Sequence, residues 1–189
     1  MTFKDGTRIL GTAELAGGQA SLTTSSIAAG NRSITAEYPG DGLFEPSTSD
    51  VLIQSVVYQF EGFFSPLSIA GTISDPSDSG SENLGSAVPI KWRLSDFEGT
   101  YIVKRRAAKS LAASFNPDCS GMPEGPEVQL FSPVSGAPGG STLRFDRGNG
   151  RFDFNFDTTA VQEIGPGCYS IILELDDDSE PRSTIVNLQ

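Results

Sequence analysis

The chain has 189 residues, enough for one large domain or two small ones, each able to bury a core. Its 24 acidic against 13 basic residues give a formal net charge of -11, a field that repels nucleic acid and anionic membranes. It has no histidine, which removes Ser-His-Asp and Cys-His nucleophile machinery and nearly all zinc sites.

Twenty-one glycines, twelve prolines and short alternating apolar runs describe strands joined by turns, and two modules fit this pattern better than one. No run of about 18 apolar residues occurs, and no basic start leads into an apolar stretch, so neither a transmembrane helix nor a signal peptide is read. The expectation is a fragment, or a chain whose export signal lies upstream.

From Thr7 to Leu15 the residues Ile9, Gly11, Ala13 and Leu15 alternate with polar ones. After Gly17-Gly18 the same period continues through Ala20, Leu22 and Thr24, which predicts a hairpin. Asn31 to Tyr38 follows with Ile34, Ala36 and Tyr38 on one face. A Pro39-Gly40-Asp41-Gly42 turn then leads to a strand through Val51, Ile53 and Val57, all of it antiparallel.

This first segment resembles the bacterial Ig-like repeat of group 3 in Phe3-Lys4-Asp5-Gly6, Leu10-Gly11-Thr12-Ala13, Ala29-Gly30, Ile34-Thr35-Ala36-Glu37-Tyr38, Gly40-Asp41 and Pro46-Ser47-Thr48-Ser49. The resemblance implies a seven-stranded sandwich used as a repeated spacer in surface proteins. It also implies two further strands before the position of Met1. Their place is read either as a fragment boundary or as a position filled from another chain by strand addition.

From Tyr58 the chain leaves the repeat, and a Ser/Asp/Gly stretch over Ser74 to Gly85 is read as a loop. A strand follows with Val88, Ile90, Trp92 and Leu94 on one face. Val103 to Ser114 is the only candidate for a short helix. Leu143 and Phe145, the Gly148-Asn149-Gly150 turn and Phe152, Phe154 and Phe156 form a hairpin, as do Tyr169 to Leu175 and Thr184 to Leu188 around an acidic turn.

Gly85-Ser86-Ala87-Val88-Pro89-Ile90-Lys91-Trp92 resembles the motif of the PxKF (PxKW) domain that ends many secreted bacterial proteins. The aromatic lead-in at Tyr58 to Phe63, the cysteine pair and the closing hairpin at Leu173-Glu174-Leu175-Asp176-Asp177 belong to the same likeness. The expectation is therefore an all-β chain of two immunoglobulin-like antiparallel β-sandwich modules, residues 1–57, incomplete, and residues 58–189.

Cys119 and Cys168 lack the close spacing of metal ligands, and in a chain of extracellular composition a disulfide is the natural reading, with two buried free thiols as the alternative. Asp176, Asp177 and Asp178 with Glu180, and Asp75, Asp78 and Glu82, carry oxygens of the kind calcium takes. Neither group has EF-hand spacing, and solvated turns are the default.

Trp92 and Phe63-Phe64 are candidates for a sugar-stacking platform, weighed against core packing, and the same choice holds for Phe152, Phe154 and Phe156. Lys104, Arg105 and Arg106 with Lys109 form the one basic cluster, suited to an anionic polysaccharide or an acidic patch of a neighbour, with a solvated face as the default. No catalytic constellation is found.

The sequence thus reads as a non-catalytic structural or adhesive module, secreted or at the cell surface, without nucleic-acid partner or membrane insertion. Its partners are other domains of the same surface protein or further copies of itself, assembling into a fibre by strand complementation. A carbohydrate-binding module recognising polysaccharide is the competing class.

Overall fold

The structure, a computed structural model, describes residues 1–67, 71–72, 77–120, 123–132 and 142–189, with backbone alone at 71–72 and 77–80. The chain divides into two compact units, Met1–Val57 and Tyr58–Gln189. Both are all-β: helical structure among the described residues is confined to two 3-10 turns, Arg105–Ala107 and Thr158–Val161.

Unit 1 is a single antiparallel sheet of β1 (Thr2–Asp5), β2 (Arg8–Thr12), β3 (Gly30–Tyr38), β4 (Ser47–Thr48) and β5 (Leu52–Val56). β3 lies between β1 on one side and β4 and β5 on the other. The expected hairpin across Gly17-Gly18 is not the one formed. β2 turns back at Gly6 onto β1, and Ala16 and Gln19 contribute a lone bridge.

Directly paired residues share a face, so Phe3 opposite Ala36, Ile34 opposite Leu52, and Val56 opposite Gly30 lie on one side of this sheet. Ile53 pairs with Ser33 on the other side. The sheet is the one layer of unit 1, and on its apolar side Leu22 lies against Gly11, the partner of Phe3. No apolar side chain of unit 1 is buried, and Ile9, Leu15, Leu43, Phe44, Val51, Leu52, Ile53 and Val57 are 51 to 88% exposed. The same apolar side holds a buried carboxylate, Asp5, which Arg32 neutralises at 2.9 Å.

Unit 2 has two sheets. One runs β12 (Arg144–Asp146), β13 (Arg151–Asp157), β9 (Ala87–Ser95) and β6 (Gln59–Phe64). The other runs β11 (Glu127–Phe131), β10 (Ala108–Phe115), β14 (Gly167–Leu175), β15 (Arg182–Leu188) and β7 (Gly71–Thr72), with β8 (Ser77–Glu82) also on β15. Side chains from both sheets share one core, which makes the unit a sandwich: Val88, Ile90, Trp92, Phe152, Phe154 and Phe156 from the first, Leu111, Tyr169, Ile171, Leu173, Val186 and Leu188 from the second.

Two expectations are corrected here. Val103 to Ser114 is not a helix: after the 3-10 turn it becomes β10, paired to β11 and β14. Burial of Leu111, Ala112, Ala113 and Ser114 on both sides of the strand outweighs the helix preference of its alanines, lysine and leucine. The stretch read as a loop contains β8, which runs parallel to β15 and breaks the purely antiparallel pattern.

Candidate functional site

The acidic turn between β14 and β15 is the most highly organised polar group in unit 2. Asp177 is fully buried: one carboxylate oxygen accepts the backbone N–H of Tyr58 at 2.7 Å, and the other accepts the N–H and hydroxyl of Ser179 at 3.1 and 2.6 Å. Asp176 accepts the Tyr58 phenol at 2.8 Å. Burial first, then the bond to Asp176, holds the Tyr58 hydroxyl protonated well above the ordinary range, so Tyr58 serves as a fixed donor rather than an acid or base.

The calcium candidates Asp176, Asp177 and Asp178 lie in this turn. The oxygens of Asp177 and one of Asp176 are taken by protein donors, and Asp178 is exposed with a left-handed backbone, φ 57°. Among the described residues no three His, Cys, Asp or Glu side chains are grouped to hold a metal ion. Asp75 and the side chain of Asp78 lie outside the described residues. Asp177→Ala is expected to cost unit 2 about 2–3 kcal/mol in urea unfolding, because it strands the Tyr58 N–H, 119 residues away in sequence, together with the N–H and hydroxyl of Ser179.

Trp92 is fully buried and stacks on Phe152, with centroids 5.4 Å apart and planes at 15°. It offers no face to a ligand, so the platform reading fails at this residue. Phe63, Phe152, Phe154 and Phe156 are buried with it. The exposed large apolar residues described in unit 2 lie elsewhere, at Phe97, Tyr101 and Val103.

Lys104, Arg105 and Arg106 are exposed at the 3-10 turn. Arg105 donates to the Leu143 carbonyl at 3.3 Å, and Lys109 stands 4.0 Å from Glu174. The best-satisfied cation is Arg93, which sequence reasoning passed over. Its guanidinium lies between the rings of Phe64 and Tyr101 at 5.2 and 4.9 Å, pairs with Glu61 at 3.1 Å, and donates to the carbonyls of Asn149 and Gly150 at 2.7 and 3.3 Å.

Arg93 thus ties the β12–β13 turn to β6 and β9. Arg93→Ala is expected to lower stability by about 2 kcal/mol, and Arg93→Lys to recover less than half of that, since an ammonium cannot stack flat and fork to two carbonyls. Chemical denaturation of the three proteins checks it.

Cys119 and Cys168 are bonded, with Cα atoms 5.2 Å apart and a sequence separation of 49. Asn116 braces the bond by donating its N–H to the Cys168 carbonyl and its side-chain amide to Ser170. One residue on, the buried Tyr169 donates its hydroxyl back to the Gly165 carbonyl at 2.6 Å, the tyrosine-corner arrangement of Ig-like sandwiches. In unit 1 a pocket of about 470 Å³ opens between Thr2, Glu37, Tyr38, Pro39, Pro46, Ser47 and Thr48.

Fold and side-chain arrangement together define an all-β chain with an Ig-like sandwich, whose best-ordered polar groups hold strands and turns to one another. Residues 1–57 match the family model of the bacterial Ig-like domain (group 3). Domains of this family are commonly non-catalytic parts of surface or extracellular proteins. No curated protein matches the chain. Among the described residues no helix is long and apolar enough to cross a membrane.

Proposed function

We propose that the chain is a non-catalytic structural or adhesive module of a secreted or cell-surface bacterial protein, a spacer whose first unit is an Ig-like domain and whose second is a PxKF/PxKW-like sandwich. The observation that carries this reading is the family match over residues 1–57. The inward use of polar groups in unit 2 supports it: Asp177, Arg93 and Tyr169 all bond to the chain's own backbone. In the finer form of the proposal, copies of the chain assemble outside the cell by strand complementation.

Two measurements test the reading. Protease treatment of intact producing cells is expected to release peptides of this chain; full protection, with the protein confined to the cytosolic fraction, overturns the surface assignment. In pull-downs on insoluble polysaccharides the purified chain is expected to stay in solution. Saturable retention there would favour the carbohydrate-binding class, which would then have to use Phe97 or Tyr101 in place of Trp92.

A further inference from the structure

Asn149 differs from the other asparagines of the chain in the residue that follows it. Asn31, Asn83, Asn155 and Asn187 precede large side chains, Asn116 precedes proline, and Asn149 alone precedes glycine. The fold requires that glycine: Gly150 has φ 62°, and a Cβ there would run into the Tyr101 ring. A glycine amide is the least hindered nucleophile that a preceding carboxamide can meet, and closing a five-membered ring gives it the advantage of an intramolecular reaction. Asn149 is exposed, so water reaches it.

We propose that Asn149 is a self-modification site, its carboxamide converting through a succinimide to aspartate and isoaspartate, with Arg93 and Asp146 setting the rate. The Gly150 nitrogen bonds to Cγ of Asn149 as the Cγ–Nδ2 bond breaks, and Nδ2 leaves as ammonia with the proton that the Gly150 N–H gives up. Water then opens the ring. Opening at Cγ leaves aspartate; opening at the backbone carbonyl leaves isoaspartate, with the chain routed through Cγ.

Ring closure has to turn the Asn149 side chain and its peptide unit together, and both are held. Asp146 Oδ2 accepts Asn149 Nδ2 at 2.6 Å, and Oδ1 accepts the Asn149 N–H at 3.2 Å. Arg93 donates to the Asn149 and Gly150 carbonyls at 2.7 and 3.3 Å. The product cannot keep this arrangement. A carboxylate at position 149 faces the Asp146 carboxylate where the amide donated, and the isoaspartate backbone, one atom longer, moves the carbonyls off the Arg93 fork. Conversion therefore undoes the tie between the β12–β13 turn and β9.

Peptide mass mapping of the full chain, held for weeks at mildly alkaline pH, is expected to show the mass gain of an amide becoming an acid at Asn149 and at no other asparagine. The rate is expected to rise with pH, because the attacking nitrogen must lose its proton. Arg93→Ala is expected to convert about three- to tenfold faster. Asp177→Ala, destabilised to a similar extent with Arg93 in place, is expected to convert at the native rate, which separates loss of the clamp from loss of stability. Asn149→Asp is expected to unfold at lower denaturant than the native chain. An unmodified Asn149 under conditions where the urea-unfolded chain converts, a gain spread over several asparagines, equal rates in the native chain and Arg93→Ala, or equal acceleration in Asp177→Ala would each overturn the proposal. An Asn149→Asp protein as stable as the native chain would overturn the release of the turn.

Discussion

Trp92→Ala is expected to destabilise unit 2 by about 3–5 kcal/mol, the range for removing a fully buried aromatic from a sandwich core. The ring stacks on Phe152, which meets Phe145 edge-on at 5.1 Å, so its loss opens a cavity that β9 and β13 cannot close without breaking their ladder. Trp92→Phe should cost far less, about 1 kcal/mol. Among the described residues the indole N–H is buried without a partner, and deleting it removes that donor along with part of the ring. Urea unfolding followed by far-ultraviolet circular dichroism compares the three proteins. A loss below about 1 kcal/mol in the alanine variant would mean that this core is not organised around the stacked pair.

The position of Trp92 was legible because period-two alternation is a local signal, and Val88, Ile90, Trp92 and Leu94 all point into the core. The same holds for Phe152, Phe154 and Phe156 and for the closing hairpin of β14 and β15. Alternation failed where burial is two-sided or the strand carries no apolar period. β10 is covered on both sides and reads as a helix; β8 is Ser-Asp-Ser-Gly-Ser-Glu and is a strand only because β15 offers it a ladder. In unit 1 the Gly17-Gly18 turn was visible, but the choice between Ala20–Thr24 and Thr2–Asp5 as partner of β2 depends on β3, which pairs with β1 and is distant in sequence.

The polar groups were harder to read for a related reason. An acidic run such as Asp176-Asp177-Asp178 looks solvated or metal-binding in sequence, because nothing local shows that Tyr58 arrives to take one carboxylate oxygen and a phenolic bond. Arg93 sits among alternating core residues at a position that alternation assigns only to the outside. Its two carbonyl acceptors, its carboxylate and its two rings come from β6, the β12–β13 turn and the segment after β9. Composition, by contrast, spoke clearly about the cysteines, since with two in the chain only one pairing exists.

Breaking that pairing is the other change with a large expected effect. Closing a 49-residue separation removes denatured-state freedom, and on the chain-entropy model the Cys119–Cys168 bond contributes about 4 kcal/mol to unit 2. The double variant Cys119→Ser/Cys168→Ser, or the native chain under reductant, is expected to unfold at correspondingly lower denaturant. Cys119 is exposed, so reductant has access without prior unfolding. For a spacer the mechanical consequence is as informative as the stability. The bond encloses β11, β12 and β13, so in an oxidised chain pulled from its ends these strands cannot be extended. Reduction should lengthen the unfolding step of unit 2 by roughly 160–175 Å, at about 3.3–3.6 Å per residue. Single-molecule extension with and without reductant measures that difference. Equal step lengths in the two conditions would show that Cys119 and Cys168 are not joined in the folded protein, and the limit to extension would then rest on the strand ladders alone.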